Sequence, residues 1–168
     1  MTCVSIMRSL CQVWKPEWQG LVMAELAYLA GHRKSAGTCD ITIKEGRLIR
    51  LRAVCPESGE SMTMILLPQK LGEVKKEKNG EYWRTFSSEA VRKFSQDLGD
   101  HNEIHQGEHP IVSGFQLLVS LQQDFSFLSG RIRFYAPVKA GEAVYIEKTE
   151  TGYIGYTEQR CFIVEESK

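Results

Sequence analysis

An acid, an amide and a histidine lie close together in the chain: Asp100, Asn102 and His105. A carboxylate and an imidazole at this spacing can exchange protons with a substrate. Ser113-Gly114 follow and open an apolar run, and a glycine at a helix start offers a backbone N–H to a developing oxyanion. The segment therefore predicts a proton-transfer site. Since Asp and Asn are also common turn residues, a polar loop without catalysis is the alternative.

Three histidines recur every fourth residue in the same segment and suggest a metal site: His101, His105 and His109. The sequence HNEIH is not HExxH, because its acidic residue occupies the wrong position between the histidines. Gly107 and Pro110 also argue against one continuous helix through all three histidines. No cysteines cluster nearby to complete a site. We therefore predict no metal.

The bulk composition is that of one ordinary soluble domain. The chain has 168 residues, of which 42% are apolar, and its 21 basic and 21 acidic side chains cancel. A balanced charge and the lack of nucleic-acid-binding motifs exclude a nucleic-acid partner. No apolar run reaches the ~18 residues of a membrane span. Without a secretory leader or a CxxC pair, we expect a cytoplasmic protein with reduced thiols at its five cysteines, Cys3, Cys11, Cys39, Cys55 and Cys161.

The chain divides at a charged, glycine-punctuated stretch, residues 71–81, which predicts a linker. In the N-terminal part, residues 1–70, Pro16–Gly31 has helical apolar spacing with a proline at its start and a glycine at its end. We therefore predict a helix there. Three short antiparallel strands should follow, separated by turns at Glu45-Gly46 and Pro56–Gly59.

The C-terminal part, residues 82–168, surrounds the polar segment. Tyr82–Phe86 predicts a strand, and Glu89–Leu98 predicts a helix that Ser87 or Ser88 caps and Gly99 ends. A second helix, Phe115–Leu128, is apolar on nearly every face and should be buried at the centre of the fold. Strands are then predicted at Gly130–Tyr135, Ala143–Lys148 and Tyr153–Val164.

Two motifs in this part resemble one known family. The segment FSQDLGDHNEIH followed by PIVSGFQLL resembles the pattern F-x-x-x-[ST]-G-D-x-N-P-[IL]-H, then P-[IV]-[VA]-H-G. That pattern belongs to the MaoC-like, or (R)-specific enoyl-CoA hydratase, branch of the hot-dog fold. RIRFYAPVKAGEAVYIE resembles a second family strand, R-x-x-F-x-x-P-V-x-x-G-D-x-[IL]. Together the motifs span Tyr82 to Glu166, about half of the chain.

The resemblance implies an α+β hot-dog fold, in which an antiparallel sheet wraps around a long central helix. It also implies a hydratase/dehydratase of fatty acid metabolism acting on an enoyl-CoA or a 3-hydroxyacyl-CoA or -ACP thioester, with no cofactor. Asp100 and His105 match the catalytic pair, and Gly114 matches the glycine whose amide holds the thioester oxygen. Asn102, which orders the loop, and Ser113 join Gly114 as oxyanion and substrate-binding residues. The alternatives are a hot-dog thioesterase and a non-catalytic acyl-CoA-binding subunit.

The chain departs from the family at several positions. Glu103 replaces a proline, Ser113 replaces a histidine, and the loop 106–112 is short. The family's last strand is expected beyond Val164, and we expect the strands within residues 39–68 to take its place. One catalytic loop per chain predicts a homodimer or a dimer of dimers. The rival hypothesis is that residues 1–70 form a degenerate half hot-dog that pairs internally.

Overall fold

The computed structural model describes residues 3–32, 37–68 and 78–168. These ranges form a mixed arrangement of helices and antiparallel strands with two short 3₁₀ turns, Pro16–Trp18 and Glu103–His105. The helices are α1 Cys3–Gln12, α2 Ser88–Leu98 and α3 Gly114–Phe125. The strands are β1 Val22–Leu29, β2 Asp40–Glu45, β3 Ile49–Cys55, β4 Glu60–Leu67, β5 Glu81–Thr85, β6 Gly130–Phe134, β7 Ala143–Lys148, β8 Gly152–Tyr156 and β9 Arg160–Glu166.

One sheet of nine strands contains all of these strands, in the order β2-β3-β4-β1-β6-β9-β8-β7-β5. Every neighbouring pair in it is antiparallel. On its inner face, α3 is enclosed so completely that every residue from Gly114 to Leu121 is buried. The apolar run therefore forms a central helix inside a curved antiparallel sheet, as the hot-dog resemblance implies. The helix ends at Phe125, three residues before the predicted end at Leu128.

The sheet contains the same arrangement twice. In the N-terminal unit, α1 is followed by β1, β2, β3 and β4, which lie in the order β2-β3-β4-β1. In the C-terminal unit, α3 is followed by β6, β7, β8 and β9, which lie in the order β7-β8-β9-β6. The first strands of the two units, β1 and β6, lie side by side and join them into one sheet. The C-terminal unit also carries β5 at its outer edge and α2 before its helix.

The predicted helix at Pro16–Gly31 is wrong. The structure has a 3₁₀ turn at Pro16–Trp18 and then the strand β1, while the N-terminal helix lies earlier, at Cys3–Gln12. The run VMAELAYL is nearly all apolar, and it forms a strand because it is hydrogen-bonded to β4 on one side and to β6 on the other. Buried central strands read as near-continuous apolar runs, and periodicity alone does not separate them from buried helices.

Two further expectations differ from the structure. The predicted single strand Tyr153–Val164 is a hairpin of β8 and β9, and β9 supplies the last strand of the C-terminal unit. The strands within residues 39–68 therefore do not take that place and lie on the far side of β1. The remaining strand and helix predictions of the C-terminal part are confirmed within one or two residues, including the Ser87 cap of α2.

Two of the cysteines are not free thiols. Cys39 and Cys55 form a disulfide between the residue before β2 and the end of β3, at positions that the antiparallel register places opposite each other. The expectation of reduced thiols is thus wrong for this pair and holds for Cys3, Cys11 and Cys161. The predicted cytoplasmic location, which used the reduced thiols as an argument, stays a prediction.

The predicted linker, residues 71–81, falls mostly outside the described residues, since only 78–81 belong to them. The strand β5 already begins at Glu81, inside the predicted linker. In the three described ranges, no helix is long and apolar enough to cross a membrane.

The interior of the N-terminal unit holds one buried acid. Glu60, at the start of β4, is 1% exposed, and its Oε1 atom accepts a hydrogen bond of 2.8 Å from the hydroxyl of Tyr28. Burial raises the pKa of the Glu60 carboxyl, and the bond from Tyr28 opposes this shift without cancelling it. The folded protein therefore favours the protonated acid at Glu60 more than the unfolded chain does.

This raised pKa predicts a pH dependence of stability. Since the native state keeps a proton on Glu60 after the unfolded chain has lost it, the free energy of unfolding should fall as the pH rises above the ordinary value of 4.5 and level off above the folded-state pKa. Glu60→Gln keeps an acceptor for Tyr28 and should remove this fall. Urea unfolding between pH 4 and 8 tests it, with exposed Glu150→Gln as the control. Equal pH slopes in the wild type and Glu60→Gln would contradict the prediction.

Candidate active site

The end of α2 places Asp100. Gly99 adopts the left-handed conformation, with φ at 82°, and its N–H bonds back to the carbonyl of Gln96. The next N–H, that of Asp100, bonds to the carbonyl of Ser95 at 2.9 Å. This glycine-ended helix terminus turns the chain sharply, since glycine adopts a positive φ without steric cost. Asp100 thus leaves the helix at a fixed angle and is 8% exposed.

A short 3₁₀ turn then places His105. Asn102 precedes the turn, and its backbone carbonyl accepts a hydrogen bond of 3.1 Å from the N–H of His105. The short loop that follows folds back, so that the N–H of Ile111 reaches the carbonyl of Ile104 at 2.8 Å. The carbonyl of Ile111 in turn lies 2.7 Å from Nδ1 of His105. The short loop 106–112 therefore helps to orient the imidazole of His105, because its fold-back brings the carbonyl of Ile111 next to the ring.

The carboxylate and the imidazole face each other. Oδ2 of Asp100 lies 3.5 Å from Nε2 of His105, and the two side chains are 8% and 9% exposed. The other carboxylate oxygen, Oδ1, accepts a bond of 3.1 Å from the N–H of Asn102. A separation of 3.5 Å is at the outer limit of a direct hydrogen bond. One water molecule or substrate atom could therefore contact both groups at once.

The start of α3 lies beside this pair. Ser113 is the N-cap of α3, and its hydroxyl accepts a hydrogen bond of 3.2 Å from the N–H of Phe115. Within the described part of the chain, no protein acceptor bonds the N–H of Gly114. N–H groups at a helix start lack partners in the helix and favour a negative charge. The N–H of Gly114 is thus available to a substrate oxygen, whereas the hydroxyl of Ser113 serves as a cap.

A cavity of about 330 Å³ joins these groups. Asp100, Asn102, His105, Ser113 and Gly114 all line it, so the structure brings together every site residue that the sequence predicted. The rest of the lining is mainly apolar and comes from both units of the sheet. The N-terminal unit contributes Cys11, Trp14, Leu21, Met23, Met64 and Leu66, and the C-terminal unit contributes Ile111, Val112, Phe115, Leu117, Phe134 and Val138.

The contribution of the N-terminal unit to this cavity was not predicted from the sequence. Met23 overlies the start of α3, where a Cβ atom added to Gly114 would meet its Sδ atom at 2.6 Å. Cys11 lines the cavity from α1, and burial together with the nearby Asp100 raises the pKa of its thiol. Cys11 therefore favours the neutral thiol in the wall of the cavity. The helical spacing of Ile6, Met7 and Leu10 was the signal that α1 packs inward.

The three histidines do not form a metal site. His105 is buried against Asp100, whereas His101 and His109 are exposed on the same loop. Across residues 3–32, 37–68 and 78–168, no three His, Cys, Asp or Glu side chains are grouped so that they could hold a metal ion.

Solved structures with a similar fold include a MaoC-like dehydratase. HtdX from Mycobacterium tuberculosis has a TM-score of 0.59 at 16% identity, covering 99% of this chain and 85% of that chain. A MaoC-like dehydratase from Phytophthora capsici has a TM-score of 0.55 at 12% identity, with coverage of 94% and 74%. Peroxisomal multifunctional enzyme type 2 from Drosophila melanogaster has a TM-score of 0.54 at 13% identity, covering 98% of this chain and 40% of that one.

These likenesses confirm the predicted α+β hot-dog fold and the structural resemblance to MaoC-like proteins. At such identities they show the fold alone. No protein-family model matches the sequence, and no curated protein matches it.

The crowding at Gly114 predicts a coupling with Met23. A methyl group at position 114 would also lie 3.0 Å from Cζ of Phe134, so Gly114→Ala should destabilise the protein by about 1–3 kcal/mol through overpacking. In a Met23→Ala background, part of that space is free and the cost of Gly114→Ala should be clearly smaller. Urea unfolding of the four proteins of this cycle measures the coupling. An equal cost in both backgrounds would rule out Met23 as the obstacle.

Proposed function

We propose that this protein is a hydratase/dehydratase that acts on an acyl thioester. The observation that carries the proposal is the placement of Asp100 and His105, 3.5 Å apart, at the polar end of an otherwise apolar cavity beside the start of α3. Apolar walls suit an acyl chain, and a few convergent polar groups at one end suit the reacting thioester. The shared fold with a MaoC-like dehydratase supports the proposal.

The hydrogen bonds of His105 assign its protons. The carbonyl of Ile111 can only accept, so the contact of 2.7 Å requires Nδ1 to carry a hydrogen. In the neutral ring, Nε2 then has a free lone pair, and this atom is the one that faces Asp100. His105 can therefore take up or return a proton at Nε2 without losing the bond that holds its ring.

The proposed step is the addition of water across the double bond of a 2-enoyl thioester. The pair holds one proton between Oδ2 of Asp100 and Nε2 of His105. One member delivers a proton to C2 and the other removes a proton from the water whose oxygen bonds to C3. The π bond breaks, and the pair ends with the proton count with which it began. Dehydration of a 3-hydroxyacyl thioester is the reverse.

The start of α3 would stabilise the charge that develops. As water adds to C3, electron density moves to the thioester oxygen, and the free N–H of Gly114 is the donor for it. The thioester would thus lie at the amino end of α3, with the acyl chain between apolar walls from both units. The choice between CoA and ACP, the chain length, the role in fatty acid metabolism and the cytoplasmic location stay predictions.

The reaction predicts strong effects at both members of the pair. Asp100→Asn and His105→Gln should each lower kcat/KM for crotonyl-CoA on the order of 10²–10⁴-fold, because each removes a proton-transfer group. Matched controls are Asp97→Asn and His109→Gln, which change exposed residues nearby and should retain activity. The assay follows loss of the enoyl absorbance together with release of free thiol. Free thiol without hydration would identify a thioesterase, and binding without turnover would identify a non-catalytic subunit.

The pairing of β1 with β6 also bears on the oligomeric state. We propose that one chain carries one complete site, because the edge of β6 that a second copy would cover is already paired within the chain. The topology thus supports the rival hypothesis of a degenerate N-terminal half hot-dog. The predicted homodimer or dimer of dimers would have to use another surface.

Sedimentation at micromolar concentration tests this arrangement. A particle of 19.1 kDa with full hydratase activity is the expected result. A dimer whose dissociation abolishes activity would show instead that the site needs a second chain.

A further inference from the structure

The segment before β1 contacts the catalytic loop closely. The side-chain amide of Gln19 spans two peptide groups of this loop: its Nε2 donates to the carbonyl of His101 at 2.9 Å, and its Oε1 accepts from the N–H of Glu103 at 2.8 Å. These two peptide groups flank Asn102, so one side chain fixes the backbone on both sides of the residue between the catalytic partners.

The side chain of Asn102 in turn forms hydrogen bonds with the segment before β1. Its Oδ1 accepts from the N–H of Gly20 at 3.1 Å, and its Nδ2 donates to the carbonyl of Leu21 at 2.8 Å. Four hydrogen bonds thus connect the segment Gln19–Leu21 with the loop His101–Glu103, across sequence separations of 81 to 84 residues. Asn102 is 3% exposed, and both its amide oxygen and its amide nitrogen take part in these bonds.

The segment itself is firmly held on the N-terminal unit. Trp18, directly before Gln19, is 1% exposed, and its Nε1 donates to Glu45 at 3.1 Å. Directly after Leu21, the strand β1 is hydrogen-bonded on both sides. The segment is therefore a rigid support against which a surface loop can be positioned.

Both catalytic side chains depend on the position of Asn102. Its N–H bonds to Oδ1 of Asp100, and its carbonyl accepts from the N–H of His105. A shift of Asn102 would therefore change the distance between the carboxylate and the imidazole. We propose that Gln19 is a positioning residue of the active site, through which the N-terminal unit sets the geometry of Asp100 and His105. This inference rests on the proposed function and adds to it a residue that does not contact the substrate.

The test is Gln19→Met, which keeps the size of the side chain and removes both hydrogen bonds. The matched control is Gln12→Met, which changes an exposed glutamine on α1. A displaced catalytic group reduces the chemical step much more than substrate binding, so kcat for crotonyl-CoA should fall about 10- to 100-fold with KM within about twofold. Gln12→Met should leave both constants unchanged. A kcat for Gln19→Met within twofold of the control would overturn the proposal.

Amide hydrogen exchange gives a second measurement that needs no activity. In Gln19→Met, the N–H groups of Asn102, Glu103 and His105 should exchange at least several-fold faster, while those of the β1–β6 ladder keep their wild-type rates. Faster exchange throughout both units would show a general loss of stability and overturn a local positioning role. If the wild type does not hydrate crotonyl-CoA, the proposed function fails, and the exchange of these three groups still decides whether Gln19 holds the loop.

Discussion

The antiparallel pairing of β1 with β6 is the contact on which the rest of the structure depends. It places Leu26 opposite Ile132, each 1% exposed, and so joins the apolar inner faces of the two units. A shift of the register by one residue would turn both side chains to the opposite face of the sheet. The ion pairs of Glu25 with Arg131 and Arg133 on the same two strands have long N···O distances and are partly exposed. Such pairs contribute only ~0–1 kcal/mol to the free energy of unfolding. Burial of the apolar face therefore fixes the register.

The C-terminal unit could be predicted because its signals are local. Ser87 and Gly99 mark the two ends of α2 through side-chain capping and a positive φ, each of which depends on the residues next to it. Ser113 marks the start of α3 in the same way. The candidate pair, Asp100 and His105, lies within a stretch of six residues, so local turns alone bring its two members close together. The motif and the local structure agree, and the predicted site residues lie together.

In the N-terminal unit, the three antiparallel strands β2, β3 and β4 were predicted correctly, with their turns at Glu45-Gly46 and Pro56–Gly59. The strand β1 could not be predicted because its structure is decided by distant partners. The residues of β1 include good helix formers, and only the hydrogen bonds to β4 and β6 make them a strand. The Cys39–Cys55 pair is likewise opposed only once β2 and β3 are in register. The contacts of Gln19 with His101 and Glu103 join residues that are 82 and 84 positions apart in the sequence, and no local pattern around Gln19 indicates them. These features therefore depend on contacts between residues that are distant in sequence, and the spacing of apolar residues along the chain does not reveal such contacts.

A comparison of the two buried carboxylates shows why burial alone does not identify the site. Glu60 and Asp100 are 1% and 8% exposed. Glu60 bonds to the hydroxyl of Tyr28 in packed surroundings, where burial raises its pKa. Asp100 instead faces an imidazole at 3.5 Å, lines a cavity and has its other oxygen held by a backbone N–H. Glu60 does not line this cavity, whereas Asp100 and His105 both do. Access and orientation, which the N-terminal segment helps to maintain, therefore separate the candidate catalytic acid from the structural one.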